Sequence, residues 1–261
     1  MLDQPFAQRY GPVALVTGAS SGIGRSFAEC LAARGMNLVL VARRAQRLEE
    51  LAARFANQYG VQTTICALDL AAPTAAQRVL DATASLDVGL LVSNAGFGLK
   101  GSHADNDVTA MTEMLMVNCH VPMQLARGFI PRLLARGQGG IVFTSSVEAF
   151  IGCPYSTAYS ASKAFVNNLG EGLWAELTPQ GIDVLTLCPG ATDTEAPARQ
   201  GIDPATLHNI MSPDDVARLA LDNLRNGPVY VSSEHYRAVF ERLRAMPRRD
   251  ALMAMAGSMK R

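Results

Sequence analysis

Cysteine is sparse and poorly placed for cross-linking: Cys30, Cys66, Cys119, Cys153 and Cys188 are odd in number, far apart and mostly set in apolar runs. Neither a disulfide framework nor a C-x-x-C metal or redox site can be read from them, a pattern that fits a reducing cytoplasm. Histidine is rarer still, and His103, His120, His208 and His235 show no paired ligand spacing, so no metal site is expected. An excess of either charge is also missing, because 23 Lys and Arg balance 23 Asp and Glu. Without a net positive field, phosphate-backbone binding lacks its driving force, and no nucleic-acid partner is expected. No apolar run approaches the roughly 18 residues of a spanning helix. Residues 1–10 lack the apolar stretch of a removable signal peptide, so none is expected.

What the chain does have is material for a core. Hydrophobic residues make up 49% and charged residues 18%, with a mean hydropathy of +0.11, which argues for a folded globular protein. At 261 residues, one large domain spanning 1–261 is the expectation. Short β-branched runs alternate with longer stretches of helical period, the pattern of βαβ units. The fold class that follows is α/β, a single doubly wound, Rossmann-like parallel sheet of about seven strands with helices on both faces. Strands are expected at Val13–Thr17, Asn37–Val41, Thr63–Ala67, Gly89–Ser93, Gly140–Ser145, Asp183–Leu187 and Pro228–Val231, most of them continuous apolar runs. Helices are expected at Gly24–Arg34, Gln46–Tyr59, Thr74–Ala84, Val108–Arg136, Tyr159–Leu177 and Pro213–Arg225.

Two regions break the alternation. Residues 190–212, with Pro197, Gly201 and Pro204, read as a long loop with a short helix beyond a strand's carboxyl end, where loops cover ligands; a substrate lid is expected. Residues 234–261 read as a helical C-terminal extension, with Tyr236, Val239, Phe240, Leu243 and Met246 at helical spacing before a Met-rich stretch. That extension packs on its own domain or on a second subunit, or it touches a membrane surface.

Three motifs carry chemistry. Thr17-Gly18-Ala19-Ser20-Ser21-Gly22-Ile23-Gly24 follows the first strand and opens onto a helix. Glycines there let backbone approach a pyrophosphate at the helix N-terminus, where free N–H groups and the dipole favour an anion. Arg43 and Arg44 end the second strand, where an acidic residue would accept from the 2'-hydroxyl of NAD; arginine instead matches a 2'-phosphate, so NADP(H) is favoured. Tyr159 and Lys163 stand four residues apart on one helical face, and a nearby ammonium stabilises a phenolate. Tyr159 is thereby a general acid or base.

Taken in order, T-G-A-S-S-G-I-G (Thr17 to Gly24), Asp69, N-A-G (Asn94 to Gly96), Asn118, Ser146, Y-S-A-S-K (Tyr159 to Lys163) and P-G (Pro189, Gly190) resemble the short-chain dehydrogenase/reductase family. The resemblance runs from about Val13 to Val231, and it implies Asn118, Ser146, Tyr159 and Lys163 as the catalytic set. Tyr159 would exchange the substrate proton, Ser146 would hold the substrate oxygen, Lys163 would bind the nicotinamide ribose, and Asn118 would hold a relay water. The resemblance also implies cofactor contacts from Gly18, Ser20, Ser21, Gly22, Ile23 and Gly24, from Arg43 and Arg44 at the 2'-phosphate, and from Asp69 and Leu70 at the adenine. Asn94, Ala95 and Gly96 would pass the adenosine ribose, and Pro189, Gly190, Thr192 and Thr194 would embrace the carboxamide, with no metal.

The implied activity is NADP(H)-dependent hydride transfer between nicotinamide and a ketone/secondary-alcohol pair. The alternative is a catalytically silent nucleotide sensor or scaffold of the same fold. Phe97, Leu99, Phe150, Ile151, Cys153, Pro154 and Tyr155 flank the motifs and either line an apolar pocket for a 3-oxoacyl chain, steroid or similar ketone, or pack the loop against helices. Glu148 either selects a polar or cationic substrate group or faces water. The helices Val108–Arg136 and Tyr159–Leu177 imply a homodimer or homotetramer in such a family.

Overall fold

A computed structural model describes residues 4–259; residues 1–3 and 260–261, which the expected domain and C-terminal extension include, lie outside it. Seven strands, all parallel, form one sheet: β1 (Val13–Thr17), β2 (Asn37–Ala42), β3 (Thr63–Ala67), β4 (Val88–Ser93), β5 (Gly139–Thr144), β6 (Ile182–Cys188) and β7 (Val229–Val231). Their spatial order is β3-β2-β1-β4-β5-β6-β7, so the direction of winding reverses between β1 and β4. At such a switch point the strands' carboxyl ends open a crevice.

Alternation of side chains across the pleat feeds two cores. Ala14, Val16, Leu38 and Leu40 face one layer with Phe27, Leu31, Leu48 and Phe55, whereas Leu15, Val39, Val41 and Leu91 face the other with Leu125, Phe129 and Leu133. Each Val, Leu or Phe among them contributes about 1.5–3 kcal/mol by leaving water, which is why strands sandwiched this way need apolar residues at every position.

The helices, in chain order, are α1 (Gln4–Tyr10), α2 (Gly22–Ala33), α3 (Ala45–Tyr59), α4 (Ala75–Ala82), α5 (Val108–Leu115), α6 (Val121–Arg136), α7 (Thr157–Leu177), α8 (Ala196–Arg199), α9 (Pro213–Asp222), α10 (Glu234–Ala245) and α11 (Arg248–Met259). Helix α1 was not expected from periodicity. It is held where Arg9 Nε and Tyr10 Oη donate to Asp183 at 2.5 and 2.7 Å, and this burial and pairing raise the Tyr10 phenol's pKa.

The expected continuous helix Val108–Arg136 is divided: five residues, Met116–His120, adopt the wider π form between α5 and α6. Such bulges re-aim side chains, and this one carries Asn118. The C-terminal helices pack on their own sheet: Phe240, Ala251 and Met255 are buried with Val147, Ile151, Cys153 and Cys188. Of the two readings of the flanking apolar residues, Ile151 and Cys153 therefore follow the packing one. Among the described residues no helix is long and apolar enough to cross a membrane.

Candidate active site

The glycine motif leaves β1 in a turn that only glycine fits comfortably. Gly18 and Gly22 have φ of +71° and +52°, and a Cβ on Gly24 would lie 2.3 Å from the Gly18 carbonyl oxygen and 2.5 Å from Asn94 Nδ2. Helix α2 then starts at Gly22, two residues earlier than expected, with Ser21 as its N-cap making no side-chain capping bond. Its first N–H groups thus remain for an anion brought to the loop. Ile23 leans on the core beneath.

Asn94 holds this end of the sheet together. Its backbone N–H and that of Ala95 each donate to Thr17 Oγ1 at 2.9 Å, its Nδ2 donates to the Thr17 carbonyl, and its Oδ1 accepts from Thr144 Oγ1. One side chain therefore ties β1, β4 and β5 at the switch point. Gly96 passes directly over Asn118 and Lys163, since a Cβ there would lie 2.9 Å from Asn118 Oδ1 and 3.1 Å from Lys163 Nζ.

Ser146, Tyr159, Lys163 and Asn118 converge as the sequence implied. Ser146 caps the short turn after β5 by accepting from the Glu148 N–H at 3.2 Å, and its hydroxyl is near enough to the Tyr159 phenol to draw that group's pKa down. Lys163, only 4% exposed, donates to the Thr144 carbonyl at 2.8 Å while its own carbonyl accepts from Ser145 Oγ at 2.9 Å. Its ammonium lies 5.7 Å from the Tyr159 ring centroid. The Asn118 side chain is fully engaged: Nδ2 donates to the Phe97 carbonyl and Ser162 Oγ, and Oδ1 accepts from the Phe97 N–H. Thr17, Thr144, Ser145 and Ser162 are thus part of the site's frame; Thr17 and Ser162 lie inside the quoted motifs without a role read for them, and Thr144 and Ser145, as strand-end hydroxyls, had no motif of their own.

The electrostatics depart from expectation. Burial lowers the Lys163 pKa to about 8. The Tyr159 phenol is held above its ordinary range, first by burial and then by the Glu148 carboxylate, while the Ser146 hydroxyl pulls the other way. The expected lowering by Lys163 is not what prevails here, because its ammonium is spent on the Thr144 carbonyl and lies over the ring rather than against the hydroxyl. A phenol of this kind stays protonated at neutral pH and can deliver a proton. Glu148 does not simply face water: Oε1 accepts from Lys100 Nζ at 2.8 Å, and Lys100 also donates to Ser156 Oγ at 3.0 Å.

At the rim, Arg43 is 69% exposed and pairs loosely with Asp69 at 3.8 Å. Arg44 turns inward, donating to Ser20 Oγ at 3.0 Å and Ser21 Oγ at 2.6 Å. Leu70 is buried in the apolar layer with Val39 and Val41, so any contact it makes with a ligand is through backbone. Across the crevice, the Pro189 carbonyl accepts from the Val147 N–H, Gly190 lies against the Tyr236 ring, Thr192 bridges to Met211, and Thr194 touches the space over Gly22. Among the described residues no cluster of His, Cys, Asp and Glu could hold a metal ion.

A protonated phenol near a serine hydroxyl and a buried lysine, beside a glycine cradle at the switch point of a parallel sheet, defines an oxidoreductase of the open α/β class. The short chain dehydrogenase family model matches residues 12–204, and the chain belongs to that family. It is 31% identical over 255 residues to a 7beta-hydroxysteroid dehydrogenase from Clostridium sardiniense, covering 97% of each chain. It is 34% identical over 192 residues to a very-long-chain 3-oxoacyl-CoA reductase from Podospora anserina, 70% of this chain and 56% of that reductase. Among solved structures, a short-chain dehydrogenase from Sphingobium yanoikuyae in complex with NADPH shares 36% identity and a TM-score of 0.83, over 94% of this chain and 95% of that one.

Proposed function

We propose that the protein is an NADP(H)-dependent reductase that converts an apolar ketone, of the steroid or 3-oxoacyl kind, to its secondary alcohol. The observation that carries this reading is the convergence of Tyr159, Ser146 and the buried Lys163, whose ammonium lies 5.7 Å from the Tyr159 ring centroid, with a phenol kept in its acidic form. Ser146 and Tyr159 both hydrogen-bond the substrate carbonyl oxygen, which polarises it, and Tyr159 gives its proton to that oxygen as the alcohol forms. Lys163 holds the nicotinamide ribose and returns a proton to Tyr159. Asn118, its side chain committed to Phe97 and Ser162, holds the relay water.

The residues present fit the dinucleotide. The glycine loop, with the uncapped N-terminus of α2 packed close against it at Gly24, takes the pyrophosphate, Asp69 and the Leu70 backbone meet the adenine, Asn94 to Gly96 flank the adenosine ribose, and Arg43 with Arg44 reads a 2'-phosphate. Pro189, Gly190, Thr192 and Thr194 hold the carboxamide. When bound there, nicotinamide supplies the hydride. The bound NADPH of the Sphingobium structure supports the cofactor, and the names of the two relatives support the substrate class.

The organisation that goes with this reading is one domain, with residues 190–212 as a lid over the crevice and α10 and α11 as an extension that braces it: Tyr236 of α10 backs Gly190 and donates to the His208 carbonyl at 3.2 Å. Val108, Leu115, Met123 and Phe165 are exposed apolar residues on α5, α6 and α7, and they support a homodimer or homotetramer built on those helices. Five free thiols support a reducing, cytoplasmic setting. Fluorescence titration with NADPH and NADH, followed by a panel of small diketones, 3-oxoacyl thioesters and ketosteroids, tests the proposal. Tighter NADPH binding with turnover of the steroids or thioesters is expected; NADH preference, or turnover confined to the small diketones, would overturn it.

A further inference from the structure

Residues 190–212 are tied to the cofactor rim at one point. The Glu195 carboxylate accepts from Arg44 Nη1 at 3.0 Å and from Arg47 Nη1 at 2.7 Å, and it also pairs with Arg199 one turn along α8. Arg44 reaches Glu195 with one arm while its other nitrogens hold the hydroxyls of Ser20 and Ser21 in the glycine loop. A single carboxylate thus joins three elements: the loop after β1 through Arg44, helix α3 through Arg47, and the segment that follows β6. The arginines hold that carboxyl far down, at a pKa of about 2, so it is charged at any working pH.

We propose that Glu195 is a cofactor-specificity residue, whose carboxylate takes the same guanidinium donors that an adenosine 2'-phosphate needs, so that binding the phosphate and clasping residues 190–212 exclude each other. This rests on the reading of the Arg43–Arg44 rim as the 2'-phosphate site. The physical basis is that Arg44 has one bidentate fork, and it cannot satisfy a carboxylate and a phosphate with the same N–H groups. A phosphate dianion next to an ionised carboxylate is also repelled, by an amount that the surrounding water reduces but does not remove. An adenosine with only a 2'-hydroxyl makes no such demand and leaves the clasp in place. Glu195 therefore weakens binding of the phosphorylated nucleotide selectively and releases residues 190–212 when that nucleotide binds.

The test uses two probes, adenosine 2',5'-bisphosphate and adenosine 5'-monophosphate, with the wild-type protein, Glu195→Gln and Arg43→Ala. Glu195→Gln keeps the side chain's shape and removes its charge at a partly exposed position. Calorimetry is expected to show the bisphosphate binding about tenfold more tightly to Glu195→Gln than to wild type, with the monophosphate unchanged, as the loss of a surface ion-pair network predicts. Hydrogen exchange of amides 196–203 is expected to accelerate when the bisphosphate is added to wild type, not with the monophosphate, and to be fast in Glu195→Gln from the start. If wild type prefers the bisphosphate and Arg43→Ala abolishes that preference, yet Glu195→Gln changes neither affinity nor exchange, the exclusion is wrong while the rim assignment stands. If wild type binds both probes alike and Arg43→Ala alters neither, the rim assignment fails and the exclusion with it.

Discussion

Replacing Lys163 by methionine should make the protein's stability respond differently to pH. Lys163 is 4% exposed, and its pKa falls from the ordinary 10.5 to about 8 because burial penalises the charged form. That difference corresponds to about 3 kcal/mol carried by the folded state whenever the side chain is protonated. Below about pH 8 both the folded and unfolded chains hold the proton, and the full penalty applies. Between about 8 and 10.5 the unfolded chain binds more proton than the folded one, so stability rises with pH until neither state is charged. Methionine has no proton to lose. Its pH-independent cost is the Thr144 carbonyl left without its donor, roughly 1–3 kcal/mol. Urea unfolding of wild type and Lys163→Met at a series of pH values, at fixed protein concentration, reads the difference between them, in which other titrating groups cancel. That difference should move by about 3 kcal/mol in favour of wild type between about pH 8 and 10.5. A difference that does not change with pH would show that Lys163 titrates as an ordinary lysine, and the burial argument would be refuted.

Arg43→Ala should weaken NADPH binding and leave NADH binding nearly unchanged, as nucleotide fluorescence titration would show; equal losses for both would remove Arg43 from the phosphate site. Gly24→Ala places a Cβ 2.3 Å from the Gly18 carbonyl oxygen, a backbone atom that cannot swing aside. It should cost roughly 1–3 kcal/mol in thermal or urea unfolding and should weaken both NADPH and NADH, because the cradle itself is deformed. Glu148→Gln removes the carboxylate that, after burial, most disfavours the Tyr159 phenolate. The basic limb of the reduction pH profile should move to lower pH, and a shift to higher pH would contradict the electrostatic account.

The sheet was legible because parallel strands covered on both faces must be apolar at every position, as Val13–Thr17 is nearly throughout; the edge strand Thr63–Ala67 also keeps its expected bounds, there on β-branched residues rather than on burial. Helix α1 was not legible: it is seven residues long, and what holds it is Asp183, more than 170 residues away. The π segment at Met116–His120 was hidden for a different reason, since its residues keep a helical pattern and only the backbone hydrogen bonding changes. In the site, Tyr159, Lys163, Ser146 and Asn118 were readable because the resemblance places them by ordered motifs. The clasp of Glu195 on Arg44 and Arg47 was not, because it joins residues about 150 positions apart that share no motif. The sign of the Tyr159 shift was misjudged from sequence because spacing shows that Lys163 is near, and not that its ammonium is already bonded to Thr144.

The central claim is that Tyr159 delivers the proton to the substrate oxygen from a site that otherwise binds and positions both partners. Single-turnover oxidation of bound NADPH by whichever ketone the panel selects, in wild type and Tyr159→Phe, tests it most directly. The variant should retain NADPH affinity and lose about 10²-fold or more in rate, because only the acid is removed. A variant with undiminished rate would contradict the claim.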